Sequence, residues 1–359
     1  MMNMKQKIRV LIADDSAFMR QELKKIMERD PDIEVVAVAR NGEEAVERTK
    51  ALDPDVVALD INMPVMDGLT ALQYIMMESP RPVVMVSSLT QEGALTTYEA
   101  LELGAVDFVG KPGGTISRDI GMVADEIVYK IRSAAGANTS RLGPAGKRRR
   151  RERAKRATPT ASGRGTSGKV VVIGQSTGGP NTIMDILPML PPDLGAPVII
   201  VQHMPGSFTP SFAQRLDNNC ALSFKEAKSG DIIEPDHGYL APGDIHMTLA
   251  PRGMGNNGSL VRLTKTPRNT LHTPSVDVTM ASVLSQYGAN TIGVLLTGMG
   301  ADGADAMVKI REAGGRTIAE SEETTVVFGM PKEAIRRGGA EFVLPSYEIG
   351  EKIVELVQS

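Results

Sequence analysis

Val170-Val171-Val172-Ile173-Gly174-Gln175-Ser176-Thr177-Gly178 reads as a buried strand that runs straight into a tight turn. Four consecutive apolar, β-branched residues supply the strand. Two glycines then bracket a hydroxyl, the G-x-S-x-G pattern of an elbow that holds a serine clear of a sheet edge. Gly and Ser also fill ordinary turns, so the pattern alone does not make Ser176 a nucleophile. What the segment predicts is an α/β region in which chemistry sits at the carboxyl ends of strands. A nucleophilic serine there needs a base, a group that orients the base, and donors for an oxyanion.

The surrounding sequence offers each of these. Further strands are predicted at 197–202, 291–297, 317–320 and 342–344, with helices near 179–190, 302–313 and 347–357. The Gly/Pro-rich stretch 221–265 predicts added β-hairpins. Of the four histidines, His203 follows the apolar run Val198–Gln202 and falls on the same rim as Ser176. His237 and His246 lie in the Gly/Pro-rich stretch and His272 in an irregular one, so His203 is the expected base. Asp302 follows the strand 291–297 through a glycine-rich turn and is the expected orienting acid, with Asp277 as competitor. Either acid would also serve as a helix cap. The amides of Gly298–Gly300 and of Thr177 are candidate oxyanion donors. Ser, His, Asp is not the chain order of an α/β-hydrolase, so the elbow predicts a different fold.

Ahead of this region, residues 7–134 alternate short apolar runs with amphipathic segments. Strands at 8–13, 33–39, 56–59, 83–87 and 106–109 and five intervening helices predict a doubly wound, five-stranded parallel sheet. Asp14 and Asp15, Asp60, Ser87 and Lys111 fall at the carboxyl ends of four of its strands. Clustered carboxylates suit a hard cation such as Mg²⁺, and a lysine and hydroxyl nearby suit a phosphoryl group. Asp15 as a simple helix cap would not account for the whole set.

Composition bounds the rest. At 359 residues and 42% apolar the chain suggests two or three domains. No apolar run has the length of a membrane span, and no signal-like stretch opens the sequence. The one cysteine, Cys220, excludes an intrachain disulfide and fits a reducing cytoplasm; it reads as a small core residue rather than a nucleophile. No zinc-type ligand spacing is present. Arg141 to Lys169 carries eleven basic residues against Glu152, a charge of +10 that leaves −13 on the remainder. This stretch reads as a solvated connector. Without interleaved aromatics or a recognition helix it does not predict nucleic-acid binding, whereas an acidic protein partner or an anionic surface would suit it. The boundaries are thus 1–134, a linker 135–168, and 169–359.

Two resemblances give these patterns a name. Asp14-Asp15, Leu59-Asp60-Ile61-Asn62-Met63-Pro64-Val65-Met66-Asp67-Gly68, Ser87 and Lys111-Pro112 resemble a response-regulator receiver domain. That resemblance implies Asp60 as phosphoacceptor, Mg²⁺ held by Asp14, Asp15, Asp60 and the Asn62 carbonyl, Ser87 and Phe108 as a switch pair, and Lys111 on the phosphoryl group. Ile173–Pro180, Gln202-His203-Met204-Pro205, Pro274-Ser275-Val276-Asp277 and Leu296–Gly303 resemble the chemotaxis protein-glutamate methylesterase (CheB) family, whose architecture is receiver plus catalytic domain. It implies the triad Ser176, His203 and Asp302, with Met299 at the oxyanion site beside Thr177 and no cofactor in the catalytic domain. It further implies a phosphorylation-activated hydrolase of chemoreceptor glutamate methyl esters that also deamidates receptor glutamines. The implied partners are methyl-accepting receptors and a chemotaxis histidine kinase, and the layout predicts that the unphosphorylated receiver covers the catalytic rim. Alternatives from other classes are a receiver-regulated general carboxylesterase and a DNA-binding response regulator. Two departures stand out: Gln175, where the family usually has alanine, is expected to narrow the rim, and Thr273 stands where an arginine is usual.

Overall fold

A computed structural model describes residues 7–87, 91–111, 120–138, 166–253 and 258–359. Most of the basic stretch from Arg141 lies outside the described residues. The chain divides into two compact units, Met1–Arg148 and Arg149–Ser359.

The first unit is a five-stranded parallel sheet in the order β2-β1-β3-β4-β5. Its strands are β1 (Ile8–Ala13), β2 (Ile33–Ala39), β3 (Val56–Asp60), β4 (Val83–Ser87) and β5 (Asp107–Gly110). Helices α1 (Ala17–Met27), α2 (Gly42–Leu52), α3 (Gly68–Glu78), α4 (Gln91–Leu103) and α5 (Ile120–Ala135) connect or follow them. Every residue of β3 is buried, as expected for a central strand covered on both faces. The strand order reverses between β1 and β3. The crevice at their carboxyl ends is where a doubly wound sheet binds ligands.

The second unit is built on a seven-stranded sheet in the order β14-β13-β12-β6-β7-β9-β8. The strands are β6 (Val170–Gln175), β7 (Val198–Gln202), β8 (Ser223–Glu226), β9 (His237–Leu240), β12 (Thr291–Leu295), β13 (Arg316–Glu320) and β14 (Phe342–Leu344). All its neighbours pair in parallel. The predicted hairpins of 221–265 reduce to one antiparallel pair, β10 (His246–Pro251) with β11 (Ser259–Thr264). The remainder of that stretch extends the sheet edge. The chain leaves β6 toward β7 on one side and returns to its other side as β12, so the switch point lies at the end of β6, where Ser176 stands.

The helix expected at 179–190 is broken. Only Gly179–Thr182 (α6) is α-helical, and two 3₁₀ turns follow at Ile183–Asp185 and Leu187–Met189. Pro188 lacks an N–H, so an α-helical ladder cannot run through it; it sits instead in the first positions of the second 3₁₀ turn, where no donor is required. Ile183, Ile186 and Leu187 nevertheless remain fully buried. Helices α7 (Thr209–Asn219), α8 (Val276–Tyr287), α9 (Ala304–Glu312), α10 (Met330–Arg336) and α11 (Ser346–Gln358) complete the unit. The core at the end of β6 includes Val276, Met280, Leu295, Ala304 and Met330.

Candidate active site

Ser176 is the first residue after β6 and is 2% exposed. Its amide donates to Thr297 O (3.0 Å), and its carbonyl accepts from Gln202 Nε2 (3.0 Å) and from the Gly179 amide (2.9 Å). Thr297 also donates through Oγ1 to Thr177 O (2.9 Å), while the Thr297 amide is held by the buried Glu320 carboxylate (2.9 Å). The elbow is therefore clamped from β12 and from the end of β7. Gly178, at φ +81°, makes the turn possible. A methyl group at Gly298 would fall onto Met330 Sδ and within 2.7 Å of Ser176 Cβ, so the glycine loop approaches the serine as closely as backbone permits.

His203 follows β7 directly, and its amide donates to Gln175 O (3.1 Å). Its Nε2 donates to Asp302 Oδ2 across 2.8 Å. Its Nδ1 is buried and has no hydrogen-bond partner among the described residues. Asp302, between β12 and α9, takes three further donors from one short stretch. These are Ser275 Oγ (2.9 Å), the Val276 amide (2.8 Å) and the Asp277 amide (3.0 Å). Burial alone would raise the Asp302 pKa, but the imidazole and the two amides outweigh it and hold the carboxyl well below the usual carboxylate range. Asp277, the competing acid, instead accepts from the Ala306 amide (2.8 Å) at the start of α9. Burial raises its pKa, with the charge of Asp302 adding to the effect. The structure thus pairs His203 with Asp302 and gives Asp277 a capping task.

Some of the sequence expectations change. The Gly298 amide donates to Val327 O (3.1 Å) and is engaged away from the serine. The Thr177 amide donates to no acceptor among the described residues. Gln175 does not narrow the rim: it is fully buried, and its side chain turns under the elbow toward Gly179 and Gln202. Thr273 is exposed, and its carbonyl accepts from the Asp244 amide (3.2 Å). Cys220 is partly buried and its thiol is pushed up to about 12, chiefly by burial and then by Asp217, which removes it as a nucleophile near neutral pH.

His272 was not assigned from sequence, yet its ring stacks on His203 with centroids 4.0 Å apart and planes 22° apart. Gln202, Thr297, Ser275 and Glu320 also support the site. The first three lie in the segments that carry the family resemblance but were given no role there, and Glu320 lies in none of them.

In the first unit Asp14, Asp15 and Asp60 each bring a carboxylate oxygen within 4.8 Å of the others. Asp14 and Asp60 are buried and Asp15 is exposed. Lys111 Nζ lies 2.9 Å from Asp14 Oδ2 and 2.8 Å from Asp60 Oδ2. Burial pushes the Asp60 pKa up and Lys111 only partly offsets this. Burial works against the charge on Lys111, but Asp60 and Asp14 prevail and raise its pKa. The set is oxygen-only and half-sheltered, which fits a Mg²⁺-type cation. Asn62 is exposed in the loop after β3, and its amide bonds Asp60. Phe108 is 1% exposed, packed edge-on against Tyr98 with centroids 6.3 Å apart. Ser87 ends β4, and its side chain lies outside what the structure describes.

The sequence profile described as CheB methylesterase matches residues 171–353, and that of the response regulator receiver domain matches residues 10–117. A protein-glutamate methylesterase/protein-glutamine glutaminase of Caldanaerobacter subterraneus subsp. tengcongensis is 55% identical over 99% of this chain and 98% of that protein. A relative of the same description from Thermotoga maritima is 47% identical, with 98% of both chains covered. The crystal structure of the Thermotoga maritima CheB methylesterase catalytic domain is 46% identical and aligns with a TM-score of 0.51. It covers 53% of this chain and 98% of that one.

Proposed function

We propose that this chain, which belongs to the CheB methylesterase family and carries a response regulator receiver domain, performs its hydrolysis through Ser176, His203 and Asp302. Its function is that of a chemotaxis protein-glutamate methylesterase with protein-glutamine glutaminase activity. Residues 169–359 form the catalytic domain, 1–134 the receiver and 135–168 the connector. The observation that carries the triad is the 2.8 Å His203–Asp302 pair on the rim where Ser176 ends the central strand.

The chemistry follows from the proton positions. With Nε2–H given to Asp302, Nδ1 is the base that takes the Ser176 hydroxyl proton. Serine Oγ adds to the γ-carbonyl of a methylated glutamate, and the Thr177 amide and the Met299 loop stabilise the oxyanion. His203 then returns the proton to the departing methoxide, releasing methanol. Water, deprotonated by the same imidazole, cleaves the acyl-enzyme to glutamate and restores Ser176. A glutamine side chain follows the same path with ammonia leaving. Asp302 stays ionised throughout and orients the ring.

In the receiver, Asp60 is the phosphoacceptor for a chemotaxis histidine kinase. Asp14, Asp15, Asp60 and the Asn62 carbonyl would hold Mg²⁺, whose chemistry there is to neutralise phosphoryl oxygens. Lys111, now shared by Asp14 and Asp60, moves to the phosphoryl group, and Ser87 and Phe108 report the change. The substrates are methyl-accepting receptors, and the work is done in the cytoplasm. No helix among the described residues is long and apolar enough to cross a membrane.

Methanol release from methylated receptor membranes, with and without a small phosphodonor, tests both halves. Ser176→Ala should lower turnover by about 10⁴-fold or more in either condition. Asp60→Asn should keep the basal rate and lose the phosphodonor response. Wild-type turnover in Ser176→Ala would end the triad reading.

A further inference from the structure

The triad acid is held by residues outside the triad, and the strand that supports them begins with a histidine whose two ring nitrogens are both engaged. His246, at the start of β10, is 1% exposed. Its Nδ1 accepts from the Ser275 amide at 3.1 Å. Its Nε2 lies 3.0 Å from the Pro267 carbonyl and 3.3 Å from the Thr270 hydroxyl. A backbone amide only donates and a carbonyl only accepts. Nδ1 is therefore bare and Nε2 carries the proton, because an imidazolium would set one N–H against another.

The amide so held belongs to the residue that organises Asp302. Ser275 donates its hydroxyl to Asp302 Oδ1, and the next two amides complete the carboxylate's bonds. Three of the four donors on Asp302 thus come from 275–277, and the fourth is His203. The segment between the two ends that His246 joins, Pro267 and Ser275, also carries His272, which stacks on His203. One buried imidazole clasps both ends of the segment that presents the acid and flanks the base.

We propose that His246 is a positioning residue for the hydrolysis. As a neutral, Nε2-protonated imidazole it fixes Ser275, and through Ser275 the direction from which Asp302 faces His203. The inference rests on the triad reading above. It differs from simple core filling in its chemical requirement. A filler is replaceable by an apolar side chain of similar size, whereas the clasp needs an acceptor at the Nδ1 position. Asparagine places a carbonyl oxygen near that position, glutamine reaches toward the Nε2 position instead, and leucine offers neither.

The test compares His246→Asn, His246→Gln, His246→Leu and Asp302→Asn in the full-length protein, by methanol release from methylated receptor membranes with a phosphodonor. His246→Leu and His246→Gln should lower kcat by about 10- to 100-fold, as expected when a catalytic group is displaced by about 1 Å, with KM within about twofold. His246→Asn should stay within about threefold of wild type. Wild-type kcat in His246→Leu, or equal loss in the Asn and Leu variants at equal Tm, would overturn the clasp. Full turnover in Asp302→Asn would remove the triad reading and this inference with it, whereas loss there with none in His246→Leu would overturn the clasp alone. Should the Leu variant not fold, ¹⁵N NMR of the wild-type imidazoles decides, with His246 assigned by its absence from the Asn variant. A bare Nδ1 with Nε2–H at about pH 7 is the expected state; the opposite tautomer or an imidazolium overturns the proposal.

Discussion

At the scale of single residues, the site is a set of protons with assigned places. Asp302 must stay ionised for His203 to keep Nε2–H and leave Nδ1 free, and its surroundings favour that strongly. A carboxyl whose pKa is depressed by folding contributes stability that is present above its unfolded value, about 4, and is lost as the pH falls below it. The unfolding free energy of wild type minus that of Asp302→Asn should therefore be constant above about pH 4.5 and shrink toward lower pH. Denaturant titrations at several pH values check this; a difference that instead shrinks between pH 6 and 8 would mean that Asp302 is not the depressed group. The three positions of the proposed triad, Ser176, His203 and Asp302, stand out in the sequence because each follows a strand or its turn. His272 does not, since stacking depends on how an irregular segment folds back, and neither periodicity nor a turn signal encodes that. His246 was legible only as a histidine, because its partners Pro267 and Ser275 lie 21 and 29 positions away.

At the scale of elements, the sequence carried the strands well and the connections less well. The runs at 170–175, 198–202 and 291–295 are apolar without alternation and bounded by glycine or polar residues, and all three pair side by side. The stretch 179–190 has a helical apolar pattern, but Pro188 overrides it. The segment 221–265 looked like hairpins because short runs between glycines suit any strand; direction is fixed only by the neighbour each run meets. Gly298 carries a sharper message, since any side chain there would run into the serine's own Cβ. Gly298→Ala should cut kcat by about 10- to 100-fold while KM changes much less, because the displaced group is the proposed nucleophile rather than a substrate-docking one. Steady-state kinetics on methylated receptor separates the two. A variant with unchanged kcat would show that the loop can recede without cost.

At the scale of the whole molecule, charge is divided between a basic stretch of +10 and a remainder of −13. If an acidic receptor surface docks on that stretch, salt will screen the attraction. Turnover of receptor membranes should fall as ionic strength rises, and more steeply than in a variant whose basic residues at 147–151 are replaced by glutamine. Equal salt responses would remove the stretch from substrate docking. What sharpens such a comparison is the position of the proposed triad acid. Asp302 accepts the first two amides of α8, where the aligned peptide dipoles of that helix present their positive end. The acid is thus a plug in a twelve-residue dipole, partly buried with 15% of its side chain exposed, where salt screens less than at the open surface. Dissolved salt should therefore weaken the His203–Asp302 pair less than it weakens contacts of the basic stretch. Ionic strength then becomes a dial expected to turn recognition more than the proposed triad.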